Sequence, residues 1–372
     1  MADPIRLGIV GATVTPGGSG WGANAHIPAL KALPDYTIKA VCTAHEDTAR
    51  ASAAAFGAEL AFHNIDDMVA HPDIDLVVVC VKVPIHYELV MAALRANKPV
   101  FCEWPLGANL AEAEEMAGLA RERSLRTMVG LQARSDPTLL YARELIEQGS
   151  IGDVLAANLS IIGQATIERT SGRIWQADRA KGANTLTIQG GHGIDALCFV
   201  LGEFAEVSAR VNTQIKEWRL ADTGERVPVD APDSVSVAGR LVNGAEVAVQ
   251  VAAVPSNPSG YRLEIFGKDG ALTIATGGSA NIGPSRLYGA TGKEPVAELP
   301  VPERFVLVPE DTPPGPPRNV AQAYARLADA YNAGSGFDPD FDLAVTRHRL
   351  LDAFERSSNE GRAIQLAQAS VA

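Results

Sequence analysis

The run Leu76-Val-Val-Val-Cys-Val81 carries no polar residue at either phase of its alternation. A strand that is apolar on both faces must be covered on both sides, which places it at the centre of a parallel sheet flanked by helices. The chain around it agrees. Further β-rich runs at Arg6 to Val10, Ile38 to Cys42, Val100 to Cys102 and Thr127 to Leu131 alternate with alanine-striped helical stretches at Asp47 to Phe56, His86 to Ala96 and Leu110 to Arg123. This alternation predicts βαβ units, hence a doubly wound α/β domain over residues 1–130.

At 372 residues the chain is long enough for a second core. Its texture changes after about residue 150. Val235 and Val237 are followed, across Asn243-Gly244, by Val247, Val249 and Val251, a period-two hairpin pattern. Tyr261 to Phe266 and Ala271 to Ala275 repeat it around Lys268-Asp269-Gly270. Residues 131–372 are therefore expected to form an α+β domain on a large, mostly antiparallel sheet. Helices at Asn319 to Tyr331 and Phe341 to Arg356 close the chain and are expected to pack back on the first domain.

Charge and composition exclude several functions. Lys and Arg number 32 against 44 Asp and Glu, a net charge of −12 with no basic patch, which argues against nucleic acid and anionic membranes as partners. No apolar run approaches the ~20 residues of a membrane helix, and the first residues lack a signal-peptide core, so a cytoplasmic location is expected. Cys42, Cys80, Cys102 and Cys198 lie in or beside apolar runs without CxxC spacing, and the seven histidines form no HxxxH pair. Neither disulfides nor a metal site is expected.

Strand Arg6 to Val10 runs into Gly11-Ala-Thr-Val-Thr-Pro-Gly17-Gly18-Ser-Gly20-Trp21-Gly22 and then a helical stretch through His26. Strand, glycine turn and helix in that order let backbone approach a pyrophosphate and aim unpaired N–H groups at it. The loop is longer than GxGxxG. At the end of the second strand, where NAD proteins carry an acidic residue, this chain has Val41-Cys42-Thr43-Ala44-His45. Thr43, His45 and Arg50 suit a 2′-phosphate, which tilts the expected cofactor from NAD towards NADP.

Separated segments then point one way: the glycine turn, Val83-Pro84-Ile85-His86, Glu103-Trp104-Pro105-Leu106, and Gly191-His192-Gly193-Ile194-Asp195. Together with Ala142-Arg143 to Gly152-Asp153 and the closing Arg349-Leu-Leu-Asp352, they resemble the glucose–fructose oxidoreductase / inositol dehydrogenase (Gfo/Idh/MocA) family over nearly the whole chain. The resemblance implies a Rossmann domain, an open-faced sheet domain that mediates homo-oligomer contacts, and a nicotinamide cofactor between them. Family members carry Glu-Lys-Pro after the fourth strand and an Asp-x-x-x-His pair in the second domain. Here Trp104 replaces the lysine and Ile188 the aspartate, while Glu103, Pro105 and His192 remain. Tryptophan has no titratable proton to offer an alkoxide. These departures, with the lengthened turn and Leu131-Gln132-Ala-Arg134, are similar to the Gal80-like branch, in which the fold serves dinucleotide binding and protein recognition.

The expected activity is hydride exchange between NAD(P) and a small hydroxyl or carbonyl compound, with a silent Gal80-like sensor as the alternative. His192 and Glu103 are the catalytic candidates. Gly11, Gly20, Trp21, Gly22, Thr43, His45, Arg50, Val83, Pro84, His86, Glu103 and Trp104 are the cofactor candidates. Trp104, Arg134, Trp175, Gln189 and His192 are the substrate candidates.

Overall fold

In a computed structural model, which describes residues 3–14, 20–165 and 167–366, six parallel strands form the first sheet. They are β1 (Ile5–Val10), β2 (Tyr36–Cys42), β3 (Leu60–Phe62), β4 (Leu76–Val79), β5 (Val100–Glu103) and β6 (Thr127–Gly130), in the order β3-β2-β1-β4-β5-β6. Helices α1 (Ile27–Lys31), α2 (Glu46–Phe56), α3 (Ile65–Ala70), α4 (His86–Arg95) and α5 (Leu110–Glu122) make the crossovers. All four β4 residues are fully buried, as an all-apolar central strand demands. The strand expected to reach Val81 ends at Val79. Pro84, which fixes φ and has no N–H, sits in the tight turn Val83–Ile85 that leads into α4. The sequence reading has no counterpart for β3 or α3, which are too short to display a period.

Contacts group the described chain into two units. Residues up to Gln132 and from Leu307 to Thr346 form one; those from Ala133 to Val306 and from Arg347 onward form the other. The sequence suggests one cut near residue 130 with the closing helices packing back on the first domain; the contacts group 307–346 with the first unit and 347 onward with the second. The cause is the Pro316–Ala333 helix, whose Val320, Ala321, Tyr324, Leu327 and Ala328 bury themselves with Leu7, Ile9, Leu30 and Phe101 in the Rossmann core. The fully buried Tyr324 ring lies 5.2 Å from both Tyr36 and Phe101, edge-on to each. The Tyr36 hydroxyl donates to the Tyr324 carbonyl at 2.7 Å.

The second unit starts with α6 (Pro137–Glu147), capped by the Asp136 side chain on the Thr138 N–H, and continues into β7 (Val154–Gln164). Its other strands are β8 (Glu168–Arg169), β9 (Phe204–Asn212), β10 (Glu217–Leu220), β11 (Arg226–Pro228), β12 (Ser234–Leu241), β13 (Glu246–Val254), β14 (Gly260–Gly267), β15 (Gly270–Thr276), β16 (Arg286–Thr291), β17 (Ala297–Glu298) and β18 (Ile364–Gln365). Nine of them form one sheet in the order β17-β16-β15-β14-β7-β13-β12-β9-β18, antiparallel except for β13 beside β7. Strands β8, β10 and β11 make a small separate sheet.

Both expected hairpins are present. Val235 pairs with Val251 and Val237 with Val249, and these valines are buried while Ser236, Ala238, Ala248 and Gln250 between them are exposed. Helix α7 (Gly191–Leu201) is buried at every residue. It seats through Gly193, where a Cβ would fall 2.2 Å from Ile161 Cδ1 on β7. Among the described residues no helix is long and apolar enough to cross a membrane.

Replacing Tyr324 tests the interleaving. Tyr324→Ala should cost about 4 kcal/mol in urea denaturation, and Tyr324→Phe, which removes only the hydroxyl, about 1 kcal/mol. An alanine variant losing less than about 1 kcal/mol would mean that this helix is not part of the first unit's core.

Candidate active site

The turn after β1 is closed to side chains on both of its described flanks. Gly11 has φ of +99°, and a Cβ there would lie 2.2 Å from the Cys80 carbonyl. A Cβ on Gly22 would lie 2.9 Å from the Ala12 Cα, so the helical turn Gly22–His26 packs directly on the strand-end backbone. Gly20 precedes that turn, and half-buried Trp21 packs against the first unit's core. Gly17 and Gly18 lie outside the described residues. Bare backbone that no Cβ can enter, opening a helix at the carboxyl end of a parallel strand, fits a dinucleotide pyrophosphate.

At the tip of β2 the Thr43 hydroxyl donates to the His45 carbonyl at 3.0 Å and lies 2.6 Å from the Thr48 hydroxyl, stitching the turn into α2. His45 is exposed at the helix start. Arg50, also exposed, is paired with Glu46 one turn back. Glu46 and Asp47 set two carboxylates in the first turn of α2, which offsets the positive charge expected to meet a 2′-phosphate.

After β4, Val83 is buried and Pro84 half-buried. His86, a cofactor candidate by sequence, has both ring nitrogens beside backbone carbonyls. It is 1% exposed, with Nδ1 2.9 Å from the Pro105 carbonyl and Nε2 3.1 Å from the Val81 carbonyl. Burial lowers its pKa against those carbonyls. The ring ties the loop after β4 to the loop after β5. Trp104 is likewise buried, at 5% exposure.

Glu103 ends β5 inside a polar chain that the sequence reading did not contain. Its Oε1 lies 3.0 Å from His26 Nε2, and Gln132 Nε2 donates to Oε1 at 2.8 Å and Oε2 at 3.0 Å. His26 Nδ1 is 2.8 Å from the Tyr324 hydroxyl. A carboxylate only accepts, so His26 donates from Nε2, and in the neutral ring Nδ1 then accepts the hydrogen bond of the tyrosine hydroxyl. Room for the carboxylate comes from Gly130, whose Cβ would fall 2.5 Å from Oε1.

In the second unit the wide turn Leu186–Gly190 runs directly into α7, so His192 stands in that helix's first turn, 5% exposed. Asp195, fully buried on the same helix, accepts from Arg134 Nε and Nη2 at 2.9 and 2.8 Å and from Arg347 Nε at 3.1 Å. Arg347 also donates to both Glu203 oxygens at 3.0 and 2.8 Å. Burial opposes ionisation of Asp195, but the two guanidiniums outweigh it and hold the carboxyl below its ordinary range. Arg134 was expected at the substrate; its fork is instead committed to Asp195, because a buried carboxylate must be paired.

One turn before His192, Ile188 and Gln189 line a cavity of about 130 Å³ together with Asn184, Gln176, Arg169 and Trp218. Gly163 on β7 leaves space for the Gln189 amide, which a Cβ would meet at 2.6 Å. Trp175 is half-buried in the turn Ser171–Ala177, next to Gln176 of that wall. A wider hollow of about 600 Å³ in the first unit lies by the amino ends of β1 and β2, among Arg6, Lys39, Glu59 and Asp75, whose charges are already paired. Open α/β sheets bind ligands at the opposite ends. Among the described residues no cluster of three His, Cys, Asp or Glu could hold a metal.

Residues 5–131 match the oxidoreductase family GFO_IDH_MocA, NAD-binding Rossmann fold. The dehydrogenase aclE of Aspergillus oryzae is 33% identical over 379 aligned residues, covering 97% of this chain and 98% of that protein. The chain belongs to the Gfo/Idh/MocA oxidoreductase family. Residues 137–276 of this family member match the C-terminal domain of Gal80p. The structure of a super-repressor mutant of Gal80p from Saccharomyces cerevisiae superposes with a TM-score of 0.85 at 27% identity, covering 97% of this chain and 98% of that one. Levoglucosan dehydrogenase in complex with NADH and levoglucosan shares the fold, with a TM-score of 0.84 at 22% identity over 99% of this chain and all of that one.

For this Gfo/Idh/MocA protein, Arg347→Met should cost about 3 kcal/mol at pH 7 by leaving buried carboxylate charge behind. Both Asp195 and Glu203 are held low in the folded state. Their contribution is therefore present above about pH 4 and lost as acid carries the pH down through the folded-state values. The gap between variant and wild type should narrow below about pH 4 in urea titrations; a gap independent of pH would separate these groups from acid stability.

Proposed function

We propose that the chain is an NAD(P)-dependent oxidoreductase acting on a small hydroxyl or carbonyl compound, with His192 handling the proton. The observation that carries this reading is the cavity wall of Ile188 and Gln189, one helical turn before a buried histidine in the first turn of α7. Gly11, Gly20 and Gly22 admit the pyrophosphate, and Thr43 and His45 lie where the adenosine ribose belongs. When bound, the dinucleotide accepts or supplies a hydride at its nicotinamide carbon.

His192 takes the hydroxyl proton as the carbonyl forms, or returns it in reduction. Imidazole is the side chain that does so nearest neutral pH. The Arg134–Asp195–Arg347 set fixes α7, and with it the imidazole, without touching the reacting atoms. Ile188 and Trp104 supply no proton where the family's aspartate and lysine would, so a single acid/base group carries the transfer.

The β2 tip favours NAD over the sequence-based lean towards NADP, because Glu46 neutralises Arg50 and Asp47 adds a second carboxylate. Calorimetric titration with each dinucleotide checks this: NAD should bind the tighter, and NADP binding tenfold tighter, lost in Arg50→Ala, would reverse the assignment.

The alternative is a Gal80-like dinucleotide sensor, favoured by the match of residues 137–276 and the loss of two relay groups. His192→Ala separates the two. Turnover should fall by about 10²- to 10⁴-fold with unchanged dinucleotide affinity. An unaltered rate would remove the histidine from the mechanism, and tight binding without turnover over a panel of polyols, ketones and hydroxy acids would favour the sensor.

A further inference from the structure

The cavity of the second unit has an unbalanced wall. Arg169 at the end of β8 lays its guanidinium over the Trp218 ring, 4.9 Å from the centroid, and its buried Nε has no hydrogen-bond partner. Among the described residues no carboxylate pairs with it. The charge that acts on it is the like charge of Arg173, and burial together with that neighbour lowers its pKa. An arginine does not shed its proton in a protein, so this corner holds an uncompensated positive charge. Asp233 also lines the cavity, but its two oxygens accept the Gln214 and Ile215 backbone N–H groups at 2.7 Å each and are committed there.

Two carboxamides complete the wall. Gln176 and Gln189 each bury a side-chain oxygen with no partner. Whichever way each amide points, it offers a donor and an acceptor, the complement of a hydroxyl group. Buried polar atoms are ordinarily satisfied, and three residues that line this cavity each carry one without a partner, which a ligand seated there can satisfy after a small side-chain rotation. About 130 Å³ is roughly four water volumes, room for a carboxylate and the first carbons of a hydroxylated chain.

We propose that Arg169, held over Trp218 and flanked by Gln176 and Gln189, is a carboxylate subsite, so that the substrate class is small hydroxy acids rather than neutral polyols. This rests on the oxidoreductase reading for the word substrate, but the binding claim stands alone. The subsite lies on the wall that holds Ile188 and Gln189, one turn from His192. An acid anchored on Arg169 presents its hydroxyl carbons along that wall, towards the residues beside the histidine. A guanidinium held over an indole recognises a carboxylate by planar paired hydrogen bonds, with less side-chain entropy left to lose.

The test is calorimetry on the full chain with NAD or NADH present, comparing glycerate and threonate with their neutral counterparts glycerol and erythritol. The acids should bind at least about tenfold tighter, and Arg169→Gln should erase that difference while leaving the melting temperature unchanged. If Arg169→Gln melts early, the wild-type comparison and Arg169→Lys, which keeps the charge and a weaker acid preference, decide the matter. Equal binding of acids and neutral polyols overturns the subsite, as does inorganic phosphate competing as well as the acids. Acid binding that depends on Arg169, without turnover of any probe, supports the subsite and removes the oxidoreductase reading. Turnover of neutral polyols with no acid preference does the reverse.

Discussion

One buried carboxylate organises the second unit. Asp195 receives guanidiniums from Arg134, 61 positions upstream, and Arg347, 152 positions downstream, and Arg347 carries the link on to Glu203. Two positive and two negative groups share the cluster, so burial does not leave a net charge. The geometric result is that α7, hydrophobic at nearly every position and otherwise free to slide on apolar neighbours, is pinned in rotation and register. His192 in its first turn depends on this helix, as do Gln189 and Ile188 just before it on the cavity wall.

The first unit solves a similar problem by different means. Its strands are apolar over most of their length, and a buried polar chain gathers where β5 ends. There Glu103 is oriented by His26 from the first crossover, Gln132 after β6, and, at one remove, Tyr324 from a helix made almost 200 residues later. A carboxylate bonded by two side chains, one of them held in turn by Tyr324, is confined to one rotamer at the strand's carboxyl end. The glycine turn supplies the complementary negative feature, backbone with no side chain in the way.

What could be read from residue order was what depends on local period. An all-apolar strand, two alternating hairpins and a glycine turn each announce themselves within a dozen residues; both hairpins are found where the pattern puts them, and the strand begins at Leu76 as expected but ends two residues early. Pairings were not legible. Arg134 reads as a ligand-binding cation because nothing near it in sequence discloses Asp195, and Arg347 reads as one more charge on an amphipathic helix although it is fully buried. His26, between Ala25 and Ile27, looks like filler until Glu103 is placed beside it. Arg169 and Trp218 lie on strands of two and four residues, too short for any periodic signal, and they meet only through the small sheet. The wide turns Gly22–His26 and Leu186–Gly190 break the helical period at the histidines that matter.

The interleaving of the chain also governs the order in which it can be completed during synthesis. The ribosome finishes all six strands of the first sheet by residue 130, yet the helix that covers Tyr36, Phe101 and His26 arrives only with residues 316 to 333. Until then the nascent Rossmann unit has an apolar face without its cover while the whole nine-stranded sheet, apart from its last short edge, is being made behind it. Folding from the amino end, the usual vectorial route, thus stops one helix short, and the nascent chain must stay soluble with that seam open for some 200 residues of elongation.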